Sequence, residues 1–186
     1  IKDFATVGNG VIRLTNEDLK SGGELYDTKI SEGVEPVKFI PASGAASRMF
    51  KALYEAMEAF ESAIPEEKVL AENKAAQIYS EQFYKFAFAT ELTEAIQQNK
   101  KEVNSENKIS FLLNQNGLNY GNLPKGLLKF HAYDKTARTP FEEHLVEGAK
   151  YAHDKTGVAK LHFTVSPEHQ PVFEKLLTEV KEKYEK

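Results

Sequence analysis

The sequence predicts an α/β fold with parallel strand pairing. A short apolar run, Val37, Phe39 and Ile40, reads as a buried strand over residues 36–41. Leu161, Phe163 and Val165 alternate with His162 and Thr164, the period of a second strand over 159–165. A helix signature follows each run, and strand–helix alternation with right-handed crossovers favours parallel, adjacent strands. Residues 67–116 between them are predicted to be a mostly helical insertion packed on that core.

The elements follow in order. Residues 1–34 are punctuated by Gly8, Gly10, Gly22, Gly23 and Gly33 and read as a partly loose lead-in, with a short turn or helix start at Leu14–Glu17. After the first strand, Met49, Leu53, Ala56, Met57 and Phe60 recur at helical spacing and predict a helix over about 45–62 that covers the sheet. Residues 67–100 carry one long helical pattern, and its aromatic stripe predicts that Phe83 and Phe86 are buried. A further helix is expected at about 107–115, with Gly117 as its stop. Residues 118–138 read as loops. Thr139, Pro140 and Glu142 then form an N-cap, N1 and N3 set that starts a helix ending near Asp154. Ser166-Pro167 caps a last helix with Phe173, Leu176, Leu177, Val180 and Tyr184 on one face, and its charged end, Glu179–Lys186, reads as a solvated face.

The 186 residues are read as a single α/β domain over 1–186, which, with a start at Ile1 instead of Met, is expected to be the N-terminal part of a longer protein. A net charge of −4 gives no overall field for nucleic acid, so any polyanion site must be a local basic loop. The absence of cysteine excludes disulfides, thiol catalysis and thiolate metal sites, and fits a reducing, cytoplasmic location. No apolar run approaches the ~20 residues of a membrane span, and no signal peptide is visible. No nucleic-acid or membrane partner is expected.

The residues with chemistry lie in two loops. Ala42-Ser43-Gly44-Ala45-Ala46-Ser47 is a thin loop between strand and helix, and Arg48 follows it. Such a loop lets backbone approach a phosphate, a helix N-terminus favours an anion, and arginine offers a bidentate fork. The same small residues also suit a plain strand-to-helix turn in which Arg48 is a surface cation; the pattern alone leaves both readings open. Neither GxxxxGK[ST] nor GxGxxG is present. In Leu123-Pro124-Lys125-Gly126, proline stiffens the backbone before a lysine suited to phosphate, although a solvated loop lysine has the same sequence. The five histidines, His131, His144, His153, His162 and His169, show no metal-ligand spacing, so no metal site is assigned. His131 and His144 flank the capped helix, where they suit either a site or ordinary half-buried hydrogen bonding.

PASGAASRMFK, LPKGLLKFH, RTPFEEHLVEGA and LHFTVSPEH together resemble an uncharacterised bacterial family catalogued as domain of unknown function number 4301. The likeness covers about Val37 to His169. A broader resemblance is to sugar-phosphate nucleotidyltransferases, whose first strand leads into A-G-G-x-G-[ST]-R. A P-K-x-L motif and a P-L-[IV]-x-H-like helix start come later. Ala42, Gly44, Ser47 and Arg48 match the first motif, and Pro124, Lys125 and Leu127 the second. Pro140-Phe141-Glu142-Glu143-His144 is similar to the third.

The resemblance implies a partial nucleotide-diphospho-sugar-transferase-like, Rossmann-like sheet. It implies that Arg48 and Lys125 are the catalytic pair, and that residues 42–48 with Lys125 bind the phosphates of a nucleoside triphosphate. The acceptor would be a phosphorylated small molecule such as a sugar phosphate. Arg48 and Lys125 should then converge on one cleft. Mg²⁺ is expected for the full-length protein, but no ligands for it are identifiable in this chain. Ser43 and Ala46 stand where the transferases have glycine, and a long helical stretch separates the first two motifs. The other reading is a non-catalytic module with a degenerate nucleotide fold, docking a ligand or partner on the aromatic face of Tyr79, Phe83 and Phe86.

Overall fold

The computed structural model describes residues 3–134 and 136–184, apart from the side chain of Tyr184, so residues 185 and 186 of the charged tail and the expected packing of Tyr184 lie outside the described residues. The fold is mixed α/β. Its strands form three two-stranded sheets among the described residues. The chain divides into two compact units, one of residues 1–38 and 147–161, the other of residues 39–146 and 162–186.

The first unit opens with β1 (Thr6–Val7) and β2 (Gly10–Val11), a parallel two-residue ladder. The loose lead-in expected for residues 1–34 is corrected here. Residues Asn16–Ser31 form α1, a helix of 16 residues. The reason is local: Thr15 Oγ1 accepts from the Asp18 N–H, and the Asp18 carboxylate accepts from the Thr15 N–H, which closes a capping box. None of its residues is buried. The Tyr26 hydroxyl donates to the Tyr151 carbonyl at 2.7 Å. Lys38 bonds the Glu147 carboxylate and lies 3.0 Å from the Tyr151 hydroxyl. Burial pulls the Lys38 ammonium down, but bonding to Glu147 and Tyr151 outweighs it and leaves its pKa raised. The Asp154 carboxylate closes a loop by accepting from Thr156 N–H at 2.7 Å, Thr156 Oγ1 at 2.6 Å and Val158 N–H at 3.1 Å.

β3 (Val37–Pro41) and β6 (Lys160–Thr164) pair with each other, so the two runs read as strands are adjacent as the sequence predicts. The buried strand expected at 36–41 is corrected: the two-residue alternation buries Ile40 and leaves Val37 and Phe39 exposed on the other face. In the second unit the helices build the larger core. They are α2 (Lys51–Glu61), α3 (Glu66–Glu72), α4 (Lys74–Glu81), α5 (Ala89–Gln98) and α6 (Ser105–Leu113). Leu92, Ile96, Ile109, Leu112 and Leu113 have no exposed surface. Each such side chain contributes about 1.5–3 kcal/mol by burial, so this helical region holds much of the hydrophobic stabilisation. Leu53, Ala56 and Phe60 of α2 join this core, so the stripe expected to cover the sheet packs on helices.

The long pattern over 67–100 is interrupted, because Asn73 ends α3 and caps α4, its side chain accepting from Ala76 N–H at 3.0 Å. A 3₁₀ turn at Phe83–Lys85 then separates α4 from α5. Phe83 is buried as expected, but Phe86 is 38% exposed. The extended backbone at Phe86 (φ −77°, ψ 140°) ends the 3₁₀ turn, and the ring stacks on Phe88 with centroids 5.2 Å apart. Gly117 serves a different purpose from the expected helix stop. α6 ends at Leu113 with Asn114 extended, and a Cβ at Gly117 would lie 1.9 Å from the Phe111 carbonyl oxygen. Residues 118–138, read as loops, include a 3₁₀ turn at Lys125–Leu127 and an antiparallel hairpin of β4 (His131–Ala132) and β5 (Ala137–Arg138).

α7 (Pro140–Tyr151) and α8 (Gln170–Tyr184) complete the fold. A smaller core gathers Ala42, Leu127, Phe141 and Phe173, with Phe163, Leu176 and Leu177 packed against it. No helix of the described residues is long and apolar enough to cross a membrane.

Candidate functional site

The strand β3 delivers the small-residue loop at its C-terminal end. Ala42 is buried, and its N–H donates to the Thr164 carbonyl of β6 at 2.9 Å. Ala46 is almost fully buried in the helical core, while Ser43, Gly44, Ala45, Ser47 and Arg48 are exposed. The helix expected from residue 45 begins later. Residues 47–50 form a turn in which the Met49 N–H donates to the Ala46 carbonyl at 2.9 Å, and α2 starts at Lys51. Ala46 and Phe50 are both anchored in the core, so the chain turns between them instead of coiling from Ala45. Arg48 therefore lies in the turn before α2 and not in its first helical turn.

Gly44 departs from its expected role as well. It is not among the glycines with positive φ, so the turn does not need its left-handed freedom. What it provides is space: a Cβ there would meet nothing within 4 Å.

The second loop is joined to the first through backbone. The Lys125 N–H donates to the Gly44 carbonyl at 2.9 Å, and Pro124 forms an antiparallel bridge with Ala45. Pro124 is fully buried and its extended backbone (φ −68°, ψ 151°) sets up the 3₁₀ turn. The Lys125 side chain is exposed and makes no ion pair with another described residue. His169 braces this loop from the start of α8. Its Nε2 lies 3.1 Å from the Asn122 carbonyl and its Nδ1 2.8 Å from Ser166 Oγ. A carbonyl only accepts, so Nε2 carries the proton.

The third stretch is the start of α7. Thr139 is buried, and its hydroxyl oxygen accepts from the Glu142 N–H at 3.1 Å, the N-cap bond that the sequence predicts. The Glu142 carboxylate is buried and takes Lys183 Nζ at 2.7 Å, with Arg138 Nε 3.7 Å away. Arg138 also faces Glu143, and its guanidinium sits 4.5 Å over the Tyr133 ring. These acidic residues thus serve the packing of α7.

All three stretches line one cleft of about 210 Å³. Ala42 and Gly44 come from the first loop, Lys125 and Gly126 from the second, and Pro140, Phe141 and His144 from α7. Ile40, Pro41 and Phe163 complete it. Ser43, Ala45, Ala46, Ser47 and Arg48 do not line it. Its floor is aromatic, with the Phe141 and Phe163 centroids 4.5 Å apart, and the His144 ring lies 6.3 Å from Phe163. Sequence reasoning missed Phe163 and His169 as parts of this region, because their approach to the two loops depends on long-range packing. Among the described residues no three His, Asp or Glu side chains come together in a group that could hold a metal ion.

The fold and cleft define a mixed α/β protein with a small, one-lysine pocket at the end of a strand. The family model described as "Domain of unknown function (DUF4301)" matches residues 1–186, and the chain belongs to that family. Compared with the curated proteins and with the solved structures, the chain matches none.

Proposed function

We propose that the chain is the nucleotide-binding segment of a nucleotidyltransferase that acts on a phosphorylated small molecule such as a sugar phosphate. The observation that supports this reading most is the convergence of the first loop, the Lys125 turn and the start of α7 on one cleft. These are the stretches that resemble the transferase motifs, far apart in sequence. In this reading Lys125 supplies the point charge, and the open space at Gly44 lets a phosphoryl oxygen approach backbone. The cleft is smaller than the roughly 300–1,000 Å³ of whole-ligand pockets, so it suits a phosphoryl group with few further atoms. Arg48, exposed in the following turn, would meet phosphates further along the chain of the ligand. Mg²⁺ would supply charge stabilisation in the full-length protein, and nothing in this chain's residues is assigned to it.

Calorimetry with tripolyphosphate and nucleoside triphosphates, with and without Mg²⁺, tests the binding. Lys125→Ala is expected to weaken tripolyphosphate about tenfold, the scale of one charge-assisted bond, with an unchanged melting temperature. Equal binding by wild type and variant removes the cleft from consideration. Pyrophosphate release with candidate sugar phosphates tests turnover, which this chain alone is not expected to support.

A further inference from the structure

A second pocket includes Met49 and Phe50 of the turn that follows the small-residue loop. It has a volume of about 380 Å³ and is lined by Met49, Phe50, Ile78, Tyr79, Phe86 and Phe130, among others. Its size falls within the range of small-molecule sites, unlike the phosphate cleft. Met49, Ile78, Phe86 and Phe130 are each about two-fifths exposed, an unusual concentration of apolar surface on one rim. Phe86 is stacked on Phe88 at an interplanar angle of 15° and tilted against Tyr79 at 5.4 Å. An aromatic ladder that ends in a half-exposed ring at a pocket offers a surface for one more ring.

The chain fixes how far this pocket lies from the cleft. Gly44 lines the cleft and Met49 lines the pocket, five residues later. At 3.8 Å per Cα step they are at most about 19 Å apart, and the turn at residues 47–50 shortens this. Arg48, exposed in the turn and next to Met49 in the chain, lines neither the cleft nor the pocket and makes no ion pair with another described residue. The occupant that suits an aromatic wall and a lysine-bearing cleft within that span, with an exposed arginine in the chain between Gly44 and Met49, is an aromatic ring carrying phosphates.

We propose that this pocket receives the base of a nucleotide whose phosphates lie toward Arg48 and Lys125, an inference that rests on the phosphate-binding reading of the cleft. The Tyr79 hydroxyl, the hydrogen-bonding group among the named lining side chains, is already donated to the Lys108 carbonyl at 3.2 Å. The pocket therefore reads a base by its ring face and not by its edge, and it accepts different bases.

The chain's two methionines give the test. Met49 is on the rim, and Met57 packs against the helical core as an internal control. With carbon-13 methionine methyls, ATP, GTP and adenosine are expected to shift Met49 and leave Met57 in place, while tripolyphosphate shifts neither. ATP and GTP should bind alike. Phe86→Ala is expected to weaken ATP about tenfold without changing tripolyphosphate affinity. Ile78→Ser, at an exposed rim position outside the ring stack, should weaken ATP in the same direction. If Met49 stays still under saturating ATP and adenosine, or if both variants keep the wild-type ratio of ATP to tripolyphosphate affinity, the proposal is wrong. Loss of tripolyphosphate binding with a surviving adenosine shift would overturn the phosphate cleft and retain the ring pocket. The reverse result would overturn the ring pocket alone.

Discussion

Gly44 lines the cleft, and a side chain added there would enter open space and meet no other atom within 4 Å of its Cβ. Gly44→Val is expected to abolish tripolyphosphate binding in calorimetry while the thermal midpoint moves by less than a few degrees. Retained affinity would mean that the ligand does not approach the loop. Asp154 gives a residue-scale prediction of another kind. Hydrogen bonds from Thr156 and Val158 hold its carboxyl below the ordinary value of 3.8. A carboxyl with a depressed folded pKa adds stability above the unfolded value and loses it as pH falls through the folded one. The loop should therefore stay closed at pH 5 and open in stronger acid. Side-chain NMR titration should find Asp154 below 3.8, and Thr156→Val should bring it back toward that value.

At the scale of elements, helix ends explain most of the differences between sequence and structure. The start of α1 was read at Leu14–Glu17, but Gly22 and Gly23, each costing about 1 kcal/mol in a helix, argued against its continuation. The start of α2 was hidden because Ala45, Ala46 and Arg48 are good helix formers, and only the burial of Ala46 and Phe50 reveals the turn. The end of α2 carries a prediction. Ala63 has φ 57°, and the Ile64 N–H donates to the Ala59 carbonyl, so the chain leaves the helix through a left-handed residue with a Cβ. Ala63→Gly relieves that strain and should stabilise by about 1 kcal/mol. For a chain of this size that is a rise of about 2–4 °C in thermal melting. A fall would show that glycine's unfolded-state entropy outweighs the strain.

Across the molecule, the stretches that meet at the cleft were legible as local patterns, but of the residues read as a binding site only Ala42, Gly44 and Lys125 line it. Its small-residue loop, its lysine turn and its capped helix start are local patterns of a few residues each. Phe163 and His169, which complete the region, are placed by long-range packing that no local pattern encodes. Small-residue loops and amphipathic stripes likewise cannot say that α2 turns its apolar face to other helices. The exposure of α1 has a consequence in time. A helix with no buried residue and two interior glycines opens without disturbing any core, whereas Ile109, Leu112 and Leu113 of α6 are wholly enclosed. In hydrogen–deuterium exchange, amides of residues 16–31 should fill with deuterium within seconds and those of α6 should be the last. Equal rates would contradict the burial described here. Because α1 buries no residue of its own, its exchange is expected to slow under any molecule that covers it, which makes this helix a built-in clock for partners.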